Sequence, residues 1–259
     1  MICGRGLVII NNMLYKIPFI VGNLAACFVP GHERRKLTRA YVNRVLFYPA
    51  IWLFVWRRFG VRPRTIKFVR QVTLGRVVFA VNDTYFVKIF RDVSNRRLRA
   101  HARLLDLVIG EFAGSGCAHI AIPPIVVARR APMYACARVA GEHLRTFAPK
   151  KILANRAKIE RQVADIIAVL QSIDVNKIPD KEIYLTAMQS RTVERPGAEK
   201  EVLAHFDLNR TNCLFDENMD ICAVIDWDGL SIAKNPETDW SIFMKNWVDF
   251  IAHTERAAK

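Results

Sequence analysis

The sequence contains six cysteines in 259 residues, but it lacks any pattern that pairs them. No two of them form a CxxC pair, and no histidine stands near them at the spacing of a zinc site. This pattern argues against a disulfide framework and a structural zinc site. Reduced thiols in a cytoplasmic protein are the simplest account.

Also missing is an apolar run long enough to cross a membrane as a helix, which takes about 20 residues. Asn, Lys and Pro side chains interrupt residues 7–29, and the run 45–56 contains Pro49. Basic clusters flank these runs at residues 32–39 and at Arg57 and Arg58. This pattern favours a segment lying on an anionic membrane surface. The alternative is an extra helical layer packed on the rest of the protein.

Acidic residues are few: 24 Asp and Glu stand against 39 Lys and Arg, a formal net charge of +15. That excess favours nucleic acid, anionic lipid or a phosphorylated substrate without choosing among them. No recognisable nucleic-acid-binding module is present, so no specific nucleic acid is expected as a partner. The 52% hydrophobic content is enough for a substantial core.

The periodicity of the sequence changes near its middle. Alternating or apolar runs predict strands at residues 67–72, 77–81, 85–90, 120–127 and 133–139, with a helix at about 94–109. After Gly141 the spacing becomes helical, over 149–173 and again from Pro236. Two further short strands, 213–215 and 221–225, are joined by a turn, whereas residues 178–196 are irregular or weakly helical. We therefore predict a small, mainly antiparallel sheet followed by a helical half.

Residues 205–212, His-Phe-Asp-Leu-Asn-Arg-Thr-Asn, carry the chemistry together with Asp226 and Asp228. Phosphoryl transfer needs magnesium on the phosphates and an acceptor hydroxyl held in line. Magnesium prefers hard oxygen ligands such as carboxylates. We predict that Asp207 orients the attacking hydroxyl and accepts its proton, while Asn212 and Asp226 hold Mg²⁺. Asp228 would be either a further Mg²⁺ ligand or an anchor of the loop. The hairpin after Asn212 would return Asp226 to the loop.

This stretch closely resembles the aminoglycoside phosphotransferase and choline kinase family, which shares the fold of the protein kinases. The family pattern is His-x-Asp-x-x-x-x-Asn, then a strand ending in Ile-Asp-Trp or Ile-Asp-Phe and a further acidic residue. A Pro-x-x-Asp follows in the family, and residues 236–239 match it. The resemblance covers roughly residues 66–245. Residues 1–60 lie outside it, and their composition resembles leaders on bacterial surface-glycan or lipopolysaccharide-associated proteins.

The resemblance implies an α+β, protein-kinase-like, two-lobe fold with an extra N-terminal apolar and basic segment. That segment would be residues 1–60. A small antiparallel β N-lobe would take residues 61–140, and a mainly helical C-lobe with the catalytic loop would take residues 141–259.

The same resemblance implies ATP as co-substrate. Lys88, in a strand thirteen residues after Gly75, would contact the ATP phosphates. Main-chain groups of Cys136, Ala137 and Arg138 would bind adenine.

Two other residues are expected to support the catalytic loop: His205 through hydrogen bonds, and Asp239 as a structural anchor. One departure from the family stands out. His101 occupies the helix position where the family places a Glu that pairs with the lysine.

We therefore expect a cytoplasmic kinase, peripheral at the inner face of the membrane. It would act on a hydroxyl of a small molecule or glycan, either a sugar or an amino-alcohol, in free or lipid-linked form. The missing Glu leaves open a non-catalytic pseudokinase or membrane-bound scaffold. An aminoglycoside-inactivating kinase is a third alternative. A cationic drug requires an acidic pocket, however, and a formal net charge of +15 gives no sign of one.

Overall fold

The structure is a computed structural model that describes residues 20, 21, 24, 25, 27, 32–73, 76–188 and 200–258. The chain divides into two compact units. The first unit comprises Met1–Ala102 and Ile125–Arg138, and the second comprises Arg103–Pro124 and Val139–Lys259.

A five-stranded antiparallel sheet forms the framework of the first unit, in the order β1-β2-β3-β5-β4. The predicted antiparallel sheet is thereby confirmed. The fourth strand begins later than predicted, because Ala121 pairs instead with Ala223 within the second unit. The five strands are β1 (Ile66–Thr73), β2 (Arg76–Val81), β3 (Tyr85–Phe90), β4 (Ile125–Val127) and β5 (Met133–Ala137).

Helix α1 (His32–Phe59) packs the second half of its length on this sheet. Phe47, Ile51 and Val55 recur every four residues, so they share one face of the helix, and all three are buried. They form a core with residues from four strands, among them Val77, Phe79, Val81, Val87, Ile89 and Met133. The run 45–56 is therefore partly core. No helix in the described part of the chain is long and apolar enough to span a membrane.

Helix α2 (Asn95–Ala113) follows β3 and starts where the sequence predicts, because the hydroxyl of Ser94 accepts a hydrogen bond from the Arg97 amide at 3.2 Å. Leu98 of this helix packs with Phe90 and Tyr134 in a second apolar cluster of the first unit. Asn82 and Asp83 form the turn between β2 and β3 in left-handed conformation.

The second unit is mainly helical, with two small antiparallel sheets of order β6-β8-β9 and β10-β7. Buried side chains at helical spacing line its longer helices, for example Ile159, Val163 and Ile166 in one and Phe243 and Trp247 in the other. The helices are α3 (Pro149–Ala154), α4 (Arg156–Ser172), α5 (Lys181–Met188) and α6 (Thr238–Ala258); the strands are β6 (Glu142–His143), β7 (Val202–Ala204), β8 (Cys213–Phe215), β9 (Ile221–Val224) and β10 (Ser231–Ala233).

Two sequence predictions for this unit need adjustment. The helix predicted over 149–173 is two helices, because Asn155 departs from helical geometry at φ −104° and ψ 8°. The weakly helical stretch predicted at 178–196 contains α5, and its residues 189–196 lie outside the described residues. The predicted α+β fold, with a sheet first and helices after, is otherwise confirmed.

The packing of α1 on the sheet can be tested with two neighbouring positions. Ile51 is fully buried, whereas Leu53 on the same helix is 39% exposed. We expect Ile51→Ala to lower the free energy of unfolding by about 2–5 kcal/mol, and Leu53→Ala to change it by about 0.5 kcal/mol or less. Urea unfolding measures both. Equal effects would contradict the burial of α1 in this core.

Candidate active site

The loop of residues 205–212 connects β7 to β8 in the second unit, and its backbone is tied to helix α6. One carboxylate oxygen of Asp239 accepts a hydrogen bond from the His205 amide at 2.7 Å, and the other accepts one from the Phe206 amide at 2.8 Å. Asp239 is only 2% exposed. The predicted role of Asp239 as the anchor of this loop is thereby confirmed.

Burial raises the pKa of Asp239 to about 6, although the two amide hydrogen bonds act in the opposite direction. The negative charge of Asp207 also raises this pKa. The two amides direct both carboxylate oxygens at the loop, and Phe206 is left-handed at φ 61°. This conformation carries a steric cost for a residue with a side chain.

His205 supports the same loop from inside. It is fully buried, and its ring lies 4.5 Å from that of Trp227. Nδ1 accepts a hydrogen bond from the Asp207 amide at 3.3 Å, so the proton of the neutral ring belongs on Nε2, 3.2 Å from the Ile225 carbonyl. Burial lowers the pKa of His205 to about 4, against the opposing effects of Asp226 and Asp228. A neutral, structural histidine follows, as predicted, rather than a proton carrier.

Asp207 and Asn212 are joined directly. The side-chain nitrogen of Asn212, Nδ2, donates to the Asp207 carboxylate at 2.8 Å and to the Asp207 carbonyl at 2.8 Å. The side-chain nitrogen of Asn209 donates to the other carboxylate oxygen at 2.9 Å. Two amides therefore fix the Asp207 carboxylate. Because Nδ2 of Asn212 is hydrogen-bonded to Asp207, Oδ1 is the side-chain atom of Asn212 that could bind a cation.

Asp226 comes next to this pair through the β8–β9 hairpin. The Ile225 amide donates to the Asn212 carbonyl at 2.9 Å, which continues the strand pairing one residue short of Asp226. Asp226 adopts a left-handed conformation, at φ 60° and ψ 51°, and a 3-10 turn at Trp227–Gly229 follows. A Cβ on Gly229 would lie 2.7 Å from the His205 carbonyl, so only glycine allows this turn to approach the loop so closely.

The set of Asn212, Asp226 and Asp228 fits a magnesium ion better than a transition metal. Its ligand atoms are amide and carboxylate oxygens, and magnesium in kinase sites takes one or two carboxylates beside substrate phosphates. Among the described residues no group of three or more His, Cys, Asp or Glu side chains could hold a metal. A site of this kind would depend on the phosphates and the Asn212 amide as well as on carboxylates.

Lys88 belongs to the first unit. It lies on β3 between the core residues Val87 and Ile89, so its side chain projects from the opposite face of the sheet from theirs. There its ammonium group lies 5.6 Å from the centre of the Tyr134 ring. Lys88 is 8% exposed. This burial is unusual for a lysine on a strand and argues against an ordinary solvated residue.

The predicted adenine-binding segment lies at the end of β5 in the first unit. Cys136 and Ala137 pair with Phe86 and Tyr85 of β3, and the Arg138 amide donates to the Thr84 carbonyl at 2.7 Å. That amide therefore already has a hydrogen-bond partner, so fewer main-chain groups of this segment remain for adenine to contact. His101, at the position predicted for Glu, is a buried residue of α2. Gly75 lies outside the described residues.

Sequence reasoning missed Asn209 as part of the site. Besides contacting Asp207, its side-chain oxygen accepts a hydrogen bond from the Thr211 amide at 2.8 Å. This is the local side-chain-to-backbone bonding that makes Asn common in turns, and the Asn at this position is the signal that could have identified it.

His205 and Asp239, both buried at the site, make opposite contributions to stability below neutral pH. As pH falls from 6.5 towards 4, the unfolded state protonates His205 while the folded state does not, so stability is lost. As pH falls from 6 towards 3.8, the folded state protonates Asp239 before the unfolded state does, so stability is gained.

We therefore expect Asp239→Asn to make stability fall more steeply on acidification between pH 6 and pH 4 than in the parent protein. His205→Gln should make it fall less steeply. Urea unfolding at a series of pH values measures the slopes, which are independent of the stability that each variant loses overall. Identical slopes in all three proteins would contradict the pKa assignments.

Comparison with known proteins finds the likeness in structure alone. Neither a protein-family model nor a curated protein matches the sequence. The GDP and kanamycin complex of APH(2")-IIIa is 15% identical at a TM-score of 0.55, with 82% of each chain covered. Macrolide 2'-phosphotransferase MphH from Brachybacterium faecium is 14% identical at a TM-score of 0.53, again with 82% of each chain covered. The chain therefore has the protein-kinase-like fold of the aminoglycoside and macrolide phosphotransferases.

Proposed function

We propose that this protein is an ATP- and Mg²⁺-dependent phosphotransferase that moves the γ-phosphate to a hydroxyl group of a small molecule or glycan. One observation carries the proposal. Asp207 and Asn212 are hydrogen-bonded to each other, and Asp226 lies one residue beyond the backbone bond to Asn212. The fold shared with known phosphotransferases supports the same reading.

Within this proposal Asp207 is the catalytic base. Its carboxylate would orient the acceptor hydroxyl and accept its proton, and the amides of Asn209 and Asn212 hold it in place for that task. Oδ1 of Asn212 and the carboxylates of Asp226 and Asp228 would hold the magnesium. Bound there, magnesium would neutralise negative charge on the phosphates.

The nucleotide would be held by the first unit. Lys88 supplies the cation for the phosphates, and main-chain groups of Cys136, Ala137 and Arg138, apart from the Arg138 amide, would receive adenine. Gly75 would lie beside the phosphates. Lys88 lies over the Tyr134 ring, which gives it a fixed neighbour. The Glu that would pair with this lysine in the aminoglycoside phosphotransferases is replaced here by His101.

A cationic acceptor such as an aminoglycoside is a second candidate, favoured by the distribution of charge. The second unit, which holds the catalytic loop, contains 17 Lys and Arg but 21 Asp and Glu. The net charge of +15 for the whole chain therefore does not describe the unit that carries Asp207. Kanamycin is bound in one of the structurally similar enzymes.

The place of action forms part of the proposal. We expect a cytoplasmic protein that is peripheral to the inner face of an anionic membrane. A lipid-linked sugar or amino-alcohol would then be within reach as an acceptor.

Three substitutions test the mechanism against the pseudokinase alternative. Asp207→Ala should reduce phosphate transfer from ATP by about 10²–10⁴-fold, the usual contribution of a general base. It should leave intact the rise in melting temperature caused by Mg-ATP. Asp226→Ala and Asn212→Ala should lose most of that rise, because a ligand stabilises a protein only by binding its native state.

Asp249→Ala is the matched control, since it removes an exposed aspartate from α6 of the same unit. It should behave as the parent protein in both measurements. Equal turnover in Asp207→Ala and the parent would reject the mechanism. A Mg-ATP effect without any turnover, across a broad set of hydroxyl acceptors, would favour the pseudokinase.

Expression in susceptible bacteria separates the two acceptor classes. If the acceptor is an aminoglycoside, the parent protein should raise drug resistance and Asp207→Ala should not. Susceptibility that the parent protein leaves unchanged would remove this candidate. Purified protein should then transfer phosphate to sugars or amino-alcohols in an acceptor screen.

A further inference from the structure

The outward side of α1 presents an apolar face that the core does not use. At 100° per residue, Val45, Leu46, Leu53 and Trp56 fall within a sector of about 100°. They lie away from the buried face of Phe47 and are 39–52% exposed. The ring of Trp56 lies 5.2 Å from that of Trp52 at an angle of 43°, and Trp52 itself packs against the core. The exposed face is therefore held on a rigid support.

The unit that carries this face accounts for the net positive charge of the protein. Its residues, 1–102 and 125–138, include 22 Lys and Arg and only 3 Asp and Glu. Arg57 and Arg58 lie exposed in the last turn of α1. Such a charge attracts an anionic surface, and Arg57, about 20° around the helix from the apolar sector, places part of it beside the apolar residues.

A depression lies directly after the helix. It has a volume of ≈ 510 Å³ and is lined by Val61, Arg62, Arg64, Thr65 and Asn82. The side chain of Asn82 accepts hydrogen bonds from the Arg64 and Thr65 amides at 2.7 and 3.0 Å, which fixes the backbone of this segment. Arg62 and Arg64 are both exposed, so their guanidinium groups can reach an acidic headgroup.

From this arrangement we infer that the outer face of α1 is a membrane-docking surface. The four apolar side chains enter the interface of an anionic bilayer, and the arginines at positions 57, 58, 62 and 64 contact its headgroups. The inference rests on the membrane part of the proposed function and names the residues responsible. An apolar face with a tryptophan, bordered by arginines, suits a lipid interface. A nucleic acid would need the charge but not the apolar face.

Co-sedimentation of the full chain with lipid vesicles tests this surface. We expect binding to equimolar phosphatidylcholine–phosphatidylglycerol vesicles and little binding to phosphatidylcholine alone. The double variant Leu53→Gln, Trp56→Gln should bind the mixed vesicles at least tenfold more weakly, since each buried apolar side chain accounts for about that factor. Arg57→Gln with Arg58→Gln should weaken binding by about fivefold per charge.

Matched controls separate this surface from general effects. Val248→Gln replaces an apolar residue that is 54% exposed in the second unit. Arg129→Gln with Arg130→Gln removes two exposed charges from the turn between β4 and β5 of the first unit. Both should bind as the parent does. The Mg-ATP melting shift, measured on every variant, reports folding and nucleotide binding independently of lipid.

Four results would overturn the inference. Equal binding by the Leu53, Trp56 variant and the parent would show that the apolar face does not insert. Binding abolished by soluble glycerol phosphate would indicate a free phosphate ligand. Tighter binding to duplex DNA than to vesicles would favour nucleic acid. A dimer that dissociates on Leu53→Gln, seen by light scattering, would make the face an interface between two copies.

Discussion

The site depends on the contact between one carboxylate and two amides. Asp239, in the first turn of α6, fixes the backbone at His205 and Phe206. Asp207 follows immediately. The position of the loop 205–212 is therefore set by a helix far along the chain, and the two hydrogen bonds offset part of the cost of burying a carboxylate. Because Phe206 is left-handed, the loop would relax without this tie.

From that contact the remaining geometry follows in sequence. Nδ1 of His205 accepts a hydrogen bond from the Asp207 amide, and Nε2 is hydrogen-bonded to the Ile225 carbonyl. His205 therefore links the loop to the hairpin that carries Asp226. Asn212 bonds to Asp207 with its side chain and to Ile225 with its carbonyl. Three elements of the second unit, the loop, the hairpin and α6, are thus joined by hydrogen bonds around Asp207 and Asn212.

The spacing of His205, Asp207, Asn212 and Asp226 predicted this convergence, because a strand hairpin returns the chain to where it started. Alternating and apolar runs at residues 67–72, 77–81 and 85–90 predicted the first three strands of the sheet. The two sides of α1 could not be told apart, since Leu46 and Phe47 are equally apolar in sequence. Only packing decides that one is exposed and the other buried. The late start of β4 also depends on a distant partner, Ala223.

A structure with Mn²⁺ and a non-hydrolysable ATP analogue tests the central claim most directly, because manganese can replace magnesium and its anomalous scattering locates it. The account predicts a manganese peak bound by Oδ1 of Asn212 and the Asp226 carboxylate, with Asp207 beside the γ-phosphate. A manganese peak elsewhere would contradict the assignment. So would an Oδ1 of Asn212 that does not bind the metal while Nδ2 keeps its hydrogen bond to Asp207.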